Sequence, residues 1–254
     1  MTLKTEKGFA HWLIIIVVVI IAAVGFVGWR TYQTSKNPIK PSMGQPSQAG
    51  SSQPSCPEPV TLQTPVDLQK VTAILYPGQE RGGDFKPHGG FRFDNSKPDD
   101  ITVVAPLDGK MQEAQRYTEN GEEQYSFDFA NSCGIVYRLD HLAGFPPKFE
   151  KFAQSLPLIS EDEWKSGSGH EPQRGNLDVS VSKGETIATA VGFRKTNNAF
   201  VDFGVYDLRG KNTFQNPRPF AVCWFDMLPA ADSAKVKSLP AGDSQNGKNS
   251  TLCK

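Results

Sequence analysis

The 254-residue chain has no net charge, because 27 basic residues balance 27 acidic ones, and the basic residues are scattered rather than gathered into a stripe. The electrostatic footprint of a nucleic-acid binder is therefore missing. Cysteine is scarce: Cys56, Cys133, Cys223 and Cys253 are the only four, and no two have the CxxC spacing of a zinc knuckle or thioredoxin motif. No Gly-x-Ser-x-Gly elbow, phosphate-binding loop or dinucleotide fingerprint occurs, which removes the best-marked hydrolase and nucleotide-binding classes. Internal repeats of solenoid or propeller type are also absent.

What the chain does have is one long apolar run. Residues 12–29 are almost wholly aliphatic and uncharged, with Trp12 and Trp29 at the two ends. About 18 to 20 such residues cross a hydrocarbon core, and Trp favours both interfaces. A cleaved secretory signal would also begin with a basic tip such as Lys4 and Lys7. This run is longer than a usual signal core, so a single-pass anchor is expected, with residues 1–11 as its inner tip. Lys4 and Lys7 compete with Arg30, Lys36 and Lys40 across the span, and the positive-inside rule leaves the orientation open. The even cysteine set, most simply two disulfides, favours a C-terminal domain outside the cytoplasm.

Residues 30–59 are rich in Ser, Gln, Pro, Gly and Asn and cannot bury enough apolar surface to offset their ordering entropy, so they read as a flexible tether. Residues 60–240 suit one folded domain, and 241–254 form a polar tail expected to be loose. Three pairings are open to the four cysteines; Cys56 and Cys253 bracket the domain, so Cys56 with Cys253 and Cys133 with Cys223 is the expected one.

Within the domain, runs rich in Val, Ile, Phe and Tyr alternate with Gly, Pro, Asp and Asn, the pattern of a mainly β fold. Strands are expected at 71–76, 91–94, 101–105, 110–118, 124–130, 135–142, 186–193, 199–207 and 221–225. Alternation at Tyr125, Phe127 and Phe129 predicts one packed face and one wet face. Helices are expected at 147–155 and 160–165, the second opening with the capping box Ser160-Glu-Asp-Glu163. Trp164, Trp224 and Phe225 are assigned to the core, and His170 to a solvated loop.

Four segments carry the functional signal. They are Arg81 to Asp94, which contains His88-Gly-Gly-Phe-Arg-Phe, leading into Val103-Val-Ala-Pro-Leu-Asp-Gly-Lys110, then Ile135-Val-Tyr-Arg-Leu-Asp-His141-Leu142, then Val179-Ser-Val-Ser-Lys-Gly-Glu-Thr-Ile-Ala188, and last Phe200-Val-Asp-Phe-Gly-Val205. In this order they resemble the lysostaphin/LytM-type zinc peptidoglycan endopeptidases, whose duplicated hybrid motif gives a barrel-sandwich-like β domain. The resemblance implies a zinc ion held by two His and one Asp, with a further His assisting water. Carried over by position, His88 matches the first zinc histidine, and His141 matches the histidine of the family's Tyr-x-His-Leu strand.

Two other positions depart from the pattern. Arg92 stands where the family has its aspartate ligand, and a guanidinium has no lone pair to give. Phe200 and Asp202 stand where the family has His-x-His, and Phe cannot move a proton. Asp94, two residues beyond Arg92 in a strand, could serve as a ligand only after a shift in register. An Arg92 to Asp202 ion pair is the expected replacement for the metal.

The resemblance therefore implies a degenerate, non-enzymatic domain with a groove for cell-wall material or an envelope protein. Arg92, Asp202 and Phe200 would form its pseudo-site, with no cofactor. Two alternatives stay open: an active zinc endopeptidase using His88, Asp94 or Asp202 on the metal with His141 as the catalytic group, and an anchored adaptor module of barrel-sandwich type.

Overall fold

A computed structural model describes residues 56–167, 172–174, 177–209 and 218–254. The apolar run 12–29, most of the 30–59 tether and His170 lie outside these residues. Among the described residues, no helix is long and apolar enough to cross a membrane.

The first strands are β1 (Ala73–Leu75), β2 (Gln79–Arg81), β3 (Asp84–Lys86), β4 (Gly89–Arg92) and β5 (Val103–Val104). Long strands follow: β6 (Gly109–Glu119), β7 (Glu122–Ala130) and β8 (Ile135–Gly144). Helix α1 (Pro147–Ser155), β9 (Leu158–Ile159) and α2 (Glu161–Ser166) lead to the short strands β10 (Gln173–Arg174), β11 (Ser180–Val181), β12 (Thr186–Ala188) and β13 (Ala190–Val191). The chain ends with β14 (Phe200–Asp207) and α3 (Ala230–Ser238). The protein is thus mainly β, as its residue pattern predicts.

The large sheet has the order β1-β4-β14-β8-β7-β6-β10, with β9 and β11 on β6 and β13 on β8. Its inner face is aromatic. Phe91 and Phe203 meet Trp224 at ring distances of 5.0 and 5.1 Å, and Phe127 lies 6.3 Å from Phe149 of α1. Rings paired edge-on or offset in this way add to the benefit of burying their area.

The wet face expected for the long strands is not wet. Gln124, Ser126 and Asp128 are buried opposite Tyr125, Phe127 and Phe129. Gln124 donates to the carbonyls of Glu123 and Gly192, and Asp128 lies 3.8 Å from Arg138. The pairing is incomplete, since Gln124 Oε1 and Asp128 Oδ1 are buried with no hydrogen-bond partner among the described residues.

Helix α1 occupies the expected residues, and the Ser160 capping box forms as the sequence predicts, with Glu163 N–H donating to Ser160 Oγ. The expected strand at 221–225 is instead largely a 3-10 turn, Trp224–Met227, tied to β14 by Val222 N–H donating to the Val205 carbonyl. Helix α3 and the β2–β3 hairpin lie outside the elements that the residue pattern predicts. The hairpin turns on Gly82 and Gly83, both with positive φ, which only glycine adopts without strain.

Cysteine pairing also differs from expectation: Cys56 bonds Cys133, and Cys223 bonds Cys253. The tail 241–254 is correspondingly tied down rather than loose. Gly242 N–H donates to the Ile74 carbonyl and Thr251 N–H to the Gly78 carbonyl, while Gln79 Nε2 donates to the carbonyls of Gly247 and Asn249.

Candidate functional site

Antiparallel register decides which side chains share the sheet's outer face. Asp202 lies opposite Gly90 on one side and Asp140 on the other, while Phe200 faces Arg92 and Gly204 faces Arg138. His88, just before β4, belongs to the same face. His88, Arg92, Arg138, Asp140, Phe200 and Asp202 wall a cleft of about 430 Å³, together with Leu75, Arg81, Lys86, Glu119, His141 and Trp164.

Two glycines let the central pair form. A Cβ on Gly90 would stand 2.9 Å from Asp202 Oδ1, and one on Gly204 would stand 3.0 Å from His88 Cβ. With neither present, His88 Nε2 reaches Asp202 Oδ2 at 3.0 Å across the diagonal of the two strands. Burial alone would raise the Asp202 pKa, but His88, His141 and Arg81 outweigh it and hold the carboxyl well below the usual range.

A bulge brings His141 to the same cleft. Strands β7 and β8 slip in register between Tyr125 and Phe127, and His141 adopts a positive φ of 62°. In a regular strand Asp140 and His141 would point to opposite faces; the bulge lets both line the cleft. Asp140 Oδ1 stabilises the kink by accepting from His141 N–H at 2.9 Å and from Tyr117 Oη at 2.6 Å.

The His141 ring sits among aromatics, 4.4 Å from Phe200 and 5.7 Å from Phe193. Its Nδ1 lies 3.7 Å from Glu119 Oε2, too far for a hydrogen bond. Burial raises the Glu119 pKa against the pull of His141.

The structure brings together most residues singled out by the sequence, but not in the expected pairs. Asp202 takes His88 rather than Arg92. Arg92 turns to Asp94 at 3.0 Å and Asn198 at 3.4 Å, so the expected Arg92 to Asp202 ion pair does not form. Asp94, half exposed, also accepts from Thr72 at 2.7 Å and is committed to that edge of the sheet. Trp164, expected in the core, instead lines the cleft and stacks on Tyr117 at 3.8 Å.

Tetrahedral zinc of the catalytic type needs three convergent donors and an open position. Here His88 and Asp202 converge on each other, and Arg92 is turned to Asp94 and Asn198. Among the described residues, no three His, Cys, Asp or Glu side chains form a group able to hold a metal ion. As it stands, the donor set does not fit zinc.

Residues that sequence reasoning missed include Arg81, Lys86, Glu119 and Arg218, all lining the cleft. Arg81 Nη2 donates to the His88 carbonyl at 3.0 Å, and the β2–β3 hairpin that carries it has only its Gly-Gly turn as a sequence signal.

No family model matches the sequence, and no curated protein matches it. A solved structure of Helicobacter pylori Csd3 aligns with a TM-score of 0.34 and 13% identity, over 70% of this chain and 40% of that one. This chain therefore spans well under half the length of that protein. A likeness so distant carries no functional weight, and the site stands on its own residues.

Proposed function

We propose that this is a membrane-anchored, extracytoplasmic LytM-like domain whose metal site has degenerated and whose cleft serves as a binding or regulatory surface for cell-wall material or an envelope protein. The supporting observation is the direct His88 to Asp202 contact at 3.0 Å. The two side chains that resemble zinc ligands satisfy each other, while Arg92 and Phe200 occupy the positions of a ligand and a proton carrier.

Two disulfides fit an oxidising compartment. The apolar run 12–29 supplies the anchor in this reading, and deleting residues 1–29 is expected to move the chain from the membrane fraction to the soluble one.

A zinc endopeptidase is the second reading, favoured by His88, Asp202 and His141 lining one cleft. Purified full chain tested on isolated peptidoglycan separates the two. The proposal expects retention on the polymer, no release of soluble fragments and substoichiometric zinc. Zinc bound one-to-one, with hydrolysis abolished by His88→Ala, would establish the endopeptidase instead.

A further inference from the structure

Charge in the cleft is inverted relative to a metal site. Five cationic side chains line it, Arg81, Lys86, Arg92, Arg138 and Arg218, against three carboxylates, Glu119, Asp140 and Asp202. All three carboxylates have internal partners. Asp202 holds His88, Asp140 is shared by Arg138 and Tyr117, and Glu119 faces His141.

Arg92 is paired with Asp94, and Arg138 with Asp128 and Asp140, but the other three cations are less well matched. Arg81 uses Nη2 on the His88 carbonyl, and its Nη1 has no acceptor. Lys86 is one-third exposed, and its ion-pair partner is Asp84 at 3.6 Å, itself mostly in solvent. A pair of that kind contributes little, so Lys86 is available to another anion. Arg218, exposed at the cleft rim, makes no salt bridge among the described residues.

The same cleft is also lined by the apolar side chains of Leu75, Trp164 and Phe200. A pocket of about 430 Å³ lies within the ordinary range for small ligands, roughly 300–1,000 Å³.

We infer that the cleft binds the free carboxylate of a short peptide. Arg81 and Lys86 of the β2–β3 hairpin and Arg218 at the rim would receive the charge, and the apolar lining of Leu75, Trp164 and Phe200 would receive a small apolar side chain. The guanidinium edge is matched to a planar carboxylate, which it holds by paired, charge-assisted hydrogen bonds. This inference rests on the proposed function, because it names the ligand chemistry of the same cleft.

The probe is N-acetyl-trialanine as the free acid, titrated into the full chain in detergent and followed by calorimetry and by amide NMR shifts around β4 and β14. Its C-terminal amide should bind at least about tenfold more weakly, the factor expected when one charge-assisted hydrogen bond is lost. Binding of the acid should also weaken as salt rises. Arg81→Gln should abolish the preference for acid over amide. Lys86→Gln, a solvent-edge change that leaves the fold intact, should reduce it severalfold.

Equal affinity for acid and amide overturns the inference, as does inorganic phosphate displacing the peptide more effectively than acetate does. If acid and amide bind alike while the chain is still retained on peptidoglycan, the carboxylate site fails and the proposed function stands. If the acid is preferred but the chain is not retained on peptidoglycan, the cell-wall arm of the proposed function fails and the site stands.

Discussion

A Cβ at Gly90 would lie 2.7 Å from the Val201 carbonyl and 2.9 Å from Asp202 Oδ1, both closer than van der Waals contact allows. Gly90→Ala must therefore push Asp202 aside or separate β4 from β14, either of which costs about 1–3 kcal/mol. For a domain of this size that should lower the melting temperature by several degrees. The same change should alter the acid limb. Asp202 has a folded pKa well below the ordinary carboxylate value of about 3.9. Its contribution is present above that ordinary value and is lost as pH falls below it. Urea unfolding below pH 4 should thus show a steep loss in the wild type and a shallower one in Gly90→Ala. An unchanged acid slope would mean that the His88 to Asp202 contact contributes nothing to stability.

At the level of strands, Asp128, Arg138 and Asp140 form a buried charged set across β7 and β8. Burial pushes the Asp128 carboxyl up to about 7 against the pull of Arg138. For Arg138, burial works against the charge, but Asp128 and Asp140 outweigh it and hold the guanidinium above its ordinary range. A raised carboxyl pKa means that the folded state binds the proton more tightly, so the sign is opposite to that of Asp202. Stability is fully present below about pH 4 and drains away as pH rises toward 7. Asp128→Asn should flatten the stability profile between pH 4.5 and 7, by at most about 1.4 kcal/mol per pH unit, the slope one group can give. Thermal unfolding across that interval would show it, and parallel profiles for variant and wild type would rule the assignment out. This set also separates what is encoded locally in the sequence from what depends on strand pairing. Tyr125, Phe127 and Phe129 made β7 legible as a strand, because period-two alternation is local. The burial of Asp128 was not legible, since it depends on Arg138 lying opposite through strand pairing. The same holds for His141: its segment reads as a strand, but the bulge that swings it into the cleft follows from a register slip between β7 and β8. His88 and Asp202 could be nominated from motif positions, whereas their mutual pairing required Gly90 and Gly204 to face them.

Across the whole molecule, the C-terminal disulfide is connected to the cleft through a short series of contacts. Cys223 lies beside Trp224 in the core, and its bond to Cys253 anchors a tail that lies along the outer edge of β1 and the base of the β2–β3 hairpin. Beta1 is the last strand of the large sheet, and Ile74 exchanges backbone hydrogen bonds with Pro240 and Gly242, so the tail protects an edge that would otherwise be free to pair with another chain. The hairpin held by Gln79 and Asn246 is the one that carries Arg81 and Lys86 into the cleft. Closing a loop across 30 residues of separation restricts the unfolded chain by roughly 3–4 kcal/mol. The double variant Cys223→Ser with Cys253→Ser should therefore lose about that much stability, and limited proteolysis should cut first within 241–252 before the remaining sheet is attacked. Non-reducing peptide mapping of the wild type should recover Cys56 joined to Cys133 and Cys223 joined to Cys253. Recovery of Cys56 joined to Cys253 would break the connection between tail and hairpin. Protection of 241–252 in the double variant would show that hydrogen bonds to Ile74, Gly78 and Gln79 hold the tail without the disulfide.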